Sequence, residues 1–185
     1  MSLENLKSKI PSYAKDLKLN LSSLLNEDLL SEQQALGCFL ASALASGNQD
    51  VIQAAFEDAS KSMSTEALDA VKGAHGIMAM NNIYYKFVGF MEGSEYQNMQ
   101  AKLRMNIIGN PGVDKQDFEL WSLAVSAING CKFCVTSHES MLVKSGLSKD
   151  QVQAGIRIAA ITHAIAKVLD SEHKISSNDQ KAQAA

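Results

Sequence analysis

A chain of 185 residues suits one domain with a sizeable core, and 46% hydrophobic against 20% charged residues is an ordinary globular balance. The net charge of −3, with no clustered basic excess, argues against a nucleic-acid partner. The start Met1-Ser2-Leu3-Glu4-Asn5 lacks the basic head and apolar run of a secretory leader, and the best candidate span, Ala154 to Leu169, carries Arg157, His163 and Lys167, so a soluble cytoplasmic protein without a membrane span is expected.

Helical spacing dominates from the first segment, strand-like alternation is scarce, and proline occurs only at Pro11 and Pro111, where helical patterns break; the fold class is therefore all-α. Tyr13, Leu17, Leu21, Leu24 and Leu25 form one apolar stripe. Ser31 with Gln34 reads as a capping box opening a helix to about Gly47. A helix over roughly Gln49 to Met63 turns Val51, Ile52, Ala55, Phe56 and Ala59 inward, and a longer one follows from Thr65 to Met91, before a glycine-rich turn over Gly89 to Ser94. Asn110-Pro111-Gly112 is a turn, after which Asp114 caps a helix from Lys115 to Ala127. Asn129-Gly130 breaks the chain, a new helix starts near Cys131 and ends at Gly146, and Ser148 with Gln151 opens the last helix, to about Ser171. Residues 1–175 read as a single domain, and the small, polar stretch 176–185 as a disordered tail.

Leu40 to Gly47 resembles Leu123 to Gly130 at an offset of 83, and Ser64 to Ala70 resembles Ser148 to Ala154 at 84. Two helical halves from an internal duplication would account for both. The first half has no counterpart of Cys131, Cys134 or His138.

Three cysteines are too few, and odd in number, for a secreted disulfide scaffold, so two of them three positions apart point to redox chemistry or to a metal. On a helix Cys131, Cys134 and His138 share one face. Cys131 falls at the helix N-terminus, where free amides and the dipole favour a thiolate, the attacking species in disulfide exchange. By position, Cys131 is expected to be the more exposed sulfur that meets a partner, Cys134 the resolving one, and His138 the group that takes the proton of Cys134, directly or through a water. Glu119, on the preceding helix, is the carboxylate placed to orient that imidazole if the helix folds back.

Glu119, eleven residues, Cys131, two residues, Cys134, three residues and His138 is the pattern of the alkyl hydroperoxide reductase AhpD family, within the carboxymuconolactone decarboxylase-like superfamily. The flanks resemble that family too: Met78 to Tyr85, Arg104 to Ile108, Asn110-Pro111-Gly112 and Phe118 to Cys131, so the likeness spans about Leu3 to Asp170. The resemblance implies an all-helical bundle that assembles as a homotrimer. It implies a thiol–disulfide oxidoreductase of antioxidant defence with weak peroxidase activity, whose catalytic residues are Glu119, Cys131, Cys134 and His138. It implies no bound cofactor, a redox-active Cys131–Cys134 disulfide, electrons from a dihydrolipoyl group on a 2-oxoacid dehydrogenase subunit served by lipoamide dehydrogenase, and the peroxiredoxin AhpC as the partner reduced. One position departs: the best-known members carry histidine before the second cysteine, and here Phe133 stands there, with Lys132 beside Cys131 as an electrostatic substitute.

Other chemistry would also fit the same residues. Zinc would take Cys131, Cys134 and His138 with Glu119 or solvent as fourth ligand. A decarboxylase of the same superfamily would use acid–base groups and would not need the cysteine pair. Cys38 reads as a small buried apolar residue, His75 and His163 as core or packing groups, His173 as a surface residue, Trp121 as core or subunit interface, and Met78, Met80 and Met91 as core filler. Asn81-Asn82 inside a helix is unusual and receives no assignment from sequence.

Overall fold

Several helix boundaries in the fold have a residue that makes them. The computed structural model describes residues 3–24 and 27–183, without the side chains of Leu24 and of residues beyond 177. These residues form nine α-helices, two short 3-10 turns and no strand: α1 Leu3–Lys9, α2 Lys15–Leu24, α3 Glu32–Ser46, α4 Gln49–Ser62, α5 Thr65–Phe90, α6 Asn106–Gly109, α7 Lys115–Ile128, α8 Lys132–Lys144 and α9 Lys149–Gln183. Both capping boxes form. Gln34 N donates to Ser31 Oγ at 3.2 Å while Ser31 N donates to Gln34 Oε1 at 3.1 Å, and Ser148 and Gln151 repeat the exchange at 3.2 and 2.9 Å. Asp114 Oδ1 accepts from Gln116 N at 2.7 Å and opens α7. At the other end of α7, Gly130 takes a φ of 67°, open to glycine at little cost, and Cys131 N reaches back to the Ser126 carbonyl at 3.1 Å.

The expected duplication is visible in the layout. Helices α3, α4 and α5 begin 83, 83 and 84 residues before α7, α8 and α9. The two units interlock: α3 packs on α7 and α9, and α7 packs on α5, α8 and α9. At their centre Trp121 is fully buried against Gly37. A Cβ at Gly37 would lie 2.2 Å from the indole, so only glycine lets α3 and α7 approach this closely. Phe39, Phe118, Leu120, Leu123, Ile158 and Ile165 complete a dry interior, each worth about 1.5–3 kcal/mol of burial.

Four local expectations change. Tyr13 is 70% exposed and donates its hydroxyl to Glu172 Oε1 at 2.7 Å; of its stripe Leu21 is buried and Leu17 partly so, while the Leu24 side chain and Leu25 lie outside the described residues. Phe56 points outward beneath the Lys72 ammonium, 5.8 Å from its ring centre, because the inner face of α4 is already filled by Val51, Ala55 and Ala59. Of the three methionines expected as core, Met78 is buried, Met80 half-buried and Met91 exposed. Helix α9 passes Ser171 and runs through most of the expected tail to Gln183, since no glycine or proline interrupts that stretch. The described part of α9 is long and apolar enough, by length and composition alone, to cross a membrane; its apolar face, with Ala154, Ile158, Ile165 and Leu169, is packed in the core.

Candidate active site

The reversal at Gly130 decides how the two cysteines sit. Cys131 is the N-cap of α8, with extended backbone (φ −91°, ψ 95°), and its Sγ accepts from Cys134 N at 3.3 Å. The sulfurs are joined as a disulfide with the Cα atoms 5.3 Å apart. Sequence reasoning expected Cys131 to be the more exposed. The structure reverses this: Cys131 is fully buried, and Cys134 is 5% exposed and lines a cavity. The reversal at Gly130 turns Cys131 back onto the end of α7, where its N–H donates to the Ser126 carbonyl at 3.1 Å, while Cys134 lies one turn further along α8 at the cavity.

Helix α7 folds back along α8, as the orienting role for Glu119 required. Glu119 Oε2 and His138 Nδ1 lie 2.6 Å apart, 5% and 8% exposed, a short charge-assisted contact in a dry setting. With Nδ1 donating to the carboxylate, Nε2 is left as the nitrogen that exchanges its proton. That nitrogen lies 3.2 Å from Met78 Sδ, a weak acceptor from α5. Nothing local in the sequence distinguishes Met78 from core filler.

Cys134, Glu119 and His138 share a cavity of about 290 Å³. Met78, Tyr85, Met105, Ile108, Phe133 and Met141 supply apolar wall, with Asn81, Lys115 and Ser137 adding polar groups. Phe133, in the place of the family's histidine, is 58% exposed and stacks on Tyr85 with ring centres 5.0 Å apart and planes at 17°. These two rings also border a second cavity of about 360 Å³, which Lys86 and Lys132 help to line. Lys132 is exposed and faces that second space.

A polar brace holds the reversal from behind. Asn82 Nδ2 donates to Ser126 Oγ at 2.9 Å, Asn129 Nδ2 donates to Asn82 Oδ1 at 2.9 Å, and the Lys86 ammonium donates to the Asn129 carbonyl. Asn82 is thus tied to the turn that presents Cys131. Its only signal in the sequence was an asparagine out of place inside a helix.

The other candidates stay apart from this centre. Among the described residues no three His, Cys, Asp or Glu side chains are arranged to hold a metal ion, and the proposed zinc set is spent on internal contacts, sulfur to sulfur and carboxylate to imidazole. Cys38 is fully buried beside α9; burial, with Asp117 adding to it, pushes its thiol far above the usual range and disfavours the thiolate. His163 is half-buried with Nδ1 3.2 Å from Ser46 Oγ, and His173 is exposed near Asp50. Burial lowers the pKa of His75; burial first, then the Lys167 charge, lowers that of His163.

Comparison with known proteins adds names to this geometry. The sequence profile of the Carboxymuconolactone decarboxylase family matches residues 94–172. The alkyl hydroperoxide reductase AhpD of Gluconacetobacter diazotrophicus is 58% identical over 92% of this chain and 93% of its own length. The protein of the same name from Maricaulis maris is 57% identical over 93% of this chain and 99% of its own length, and that from Rhodospirillum centenum is 46% identical over 97% and 96%.

Proposed function

This chain belongs to the alkyl hydroperoxide reductase AhpD family, and on that footing we propose that it reduces alkyl hydroperoxides and protein disulfides through Cys131 and Cys134, with Glu119 and His138 moving the proton. The observation that carries the reading is one cavity holding an accessible edge of the disulfide, at Cys134, beside a buried, carboxylate-oriented imidazole.

The chemistry follows from which sulfur is reachable. A dithiol donor attacks Cys134 Sγ; the S–S bond breaks, and Cys131 leaves as a thiolate that the Cys134 amide and the α8 N-terminus stabilise. The donor's second thiol then attacks the mixed disulfide, releasing Cys134 and an oxidised donor. His138 relays the protons, and Glu119 holds the ring and stabilises its charged form. In the peroxide step, Cys134 thiolate attacks the terminal peroxide oxygen, the O–O bond breaks, and the alkoxide takes a proton and leaves as alcohol. Cys131 then attacks the resulting sulfenic acid, which releases water and restores the disulfide. Reduction of a peroxiredoxin disulfide uses the same thiolate on a sulfur in place of an oxygen.

The family resemblance supplies the proposed partners: a dihydrolipoyl group on a 2-oxoacid dehydrogenase subunit with lipoamide dehydrogenase as donor, and AhpC as acceptor, in the cytoplasm. The mostly apolar cavity suits a slender aliphatic arm. Homotrimer formation is supported by large apolar side chains that stand exposed along one end of α5 and just after it: Ile83, Phe87, Phe90, Tyr96 and Met99. Light scattering checks this, with three times the 20.0 kDa chain mass expected.

The deciding experiment mixes the protein with lipoamide, lipoamide dehydrogenase, NADH and either an alkyl hydroperoxide or AhpC. NADH oxidation that requires this protein and disappears in Cys134→Ser is expected. Consumption that persists in Cys134→Ser removes the cysteine pair from the mechanism.

A further inference from the structure

We infer that Asn81 is the substrate-binding group of the cavity beside Cys134 and takes the terminal O–H of an organic hydroperoxide on its side-chain amide; this rests on the peroxide-reducing reading of that cavity. Asn81 follows Met78 by three residues on α5 and precedes Tyr85 by four, so the three side chains share a face, and all three line the cavity. It is 3% exposed, and its Oδ1 has no hydrogen-bond partner among the described residues. Its neighbour Asn82 is the internal control. Equally buried in the same helix, Asn82 uses both ends of its amide, on Ser126 and Asn129. A buried amide oxygen without a donor weakens a fold, and nothing among the described residues repays that loss at Asn81. A ligand that brings a donor does.

The chemistry of the two reactants selects which ligand. Glu119 and His138 are committed to each other, so Asn81 is the uncommitted amide of the cavity. A dithiol presents sulfur at its reacting end, with at most a weak S–H donor. A hydroperoxide presents an O–H donor on the very oxygen the thiolate attacks, carried on an alkyl group that fits walls of Met105, Ile108 and Met141. Anchoring that O–H on Asn81 fixes the terminal oxygen for Cys134 and leaves the alkoxy oxygen to be protonated as the O–O bond breaks.

The test separates the two half-reactions. Reduced parent, N81L and N81A proteins are mixed with cumene hydroperoxide, and disulfide formation is followed; oxidised proteins are mixed with dihydrolipoamide, and disulfide loss is followed. Both variants are expected to react with the peroxide about tenfold more slowly or worse, and to keep the parent rate with the dithiol. N81L, close in volume and free of the unpaired oxygen, is expected to melt a few degrees higher, about 2–4 °C, a gain that a merely structural asparagine would not show. Equal slowing of both half-reactions, an unchanged peroxide rate, or a lower melting temperature in N81L overturns the assignment. A parent inert to hydroperoxide defeats the peroxide-reducing reading as well, whereas a reactive parent matched by N81L defeats this inference alone.

Discussion

Asn48 and Cys131 occupy the same place in the two halves of the molecule. Each is the residue after a glycine of positive φ, Gly47 at 80° and Gly130 at 67°, and each caps the middle helix of its unit. Asn48 Oδ1 accepts from Val51 N at 3.1 Å, and Cys131 Sγ accepts from Cys134 N at 3.3 Å. In the first half the amide at the helix start satisfies a cap and nothing more. In the second the same amide faces a sulfur able to carry negative charge. Stepping on by the same offset sets Leu36 against Glu119, Val51 against Cys134 and Ala55 against His138. One backbone arrangement therefore carries a plain helix cap in one copy and, in the proposed function, redox chemistry in the other, and the difference lies in four side chains.

The sharpest way to break that comparison is to give the second half the cap of the first. Cys131→Asn should abolish disulfide formation and reduce NADH-coupled turnover to background, while circular dichroism keeps the helical signal, because asparagine is among the best N-caps. A variant lacking Cys131 that still turned over would mean the pair is not the working centre. Next in size, Glu119→Gln should keep the fold and lower kcat by roughly 10²-fold, the scale of a general acid–base contribution; steady-state assay with saturating donor checks it.

Asn48→Ala probes the structural copy. It removes both the α4 cap and the 2.7 Å bond from Asn48 Nδ2 to Asp170, so thermal or urea unfolding should show a loss of about 1–2 kcal/mol, with the redox rate per folded molecule unchanged. Gly47→Ala and Gly130→Ala each force a side chain into the left-handed region and should cost about 1–2 kcal/mol. Only the second should also slow turnover, since Gly130 aims Cys131. The smallest effect concerns pH. His75 and His163 have pKa values lowered by burial, so the unfolded chain binds protons more readily than the folded one. Stability from these groups is present above the unfolded value of about 6.5 and declines as pH falls below it. His163→Gln should flatten part of that decline between roughly pH 6.5 and 5 in urea melts.

The helices were readable wherever a local signal sufficed. The Ser31 and Ser148 boxes, the Asp114 cap and the breaks at Gly47, Gly130 and Gly146 act within a few residues of themselves, so the sequence already contains their geometry. What failed had a longer reach. Tyr13 and Phe56 fit an apolar stripe, but whether a stripe's margin is covered depends on what packs above it. Among the candidate site residues, Glu119, Cys131, Cys134 and His138 were readable through spacing. Met78, Asn81 and Asn82 were not, because α5 meets α7 and α8 only after the two units interlock.

From the sequence alone came the all-helical class, the doubled layout and the residues able to carry thiol and proton chemistry, since caps, glycines and helical spacing are local properties. Tertiary structure alone decided that Cys134, not Cys131, faces the cavity, that Glu119 lies 2.6 Å from His138, and that Asn81 Oδ1 has no hydrogen-bond partner among the described residues while Asn82 is bonded at both ends of its amide. Exposure and hydrogen-bond satisfaction are sums over neighbours distant in the chain, and no local pattern contains them.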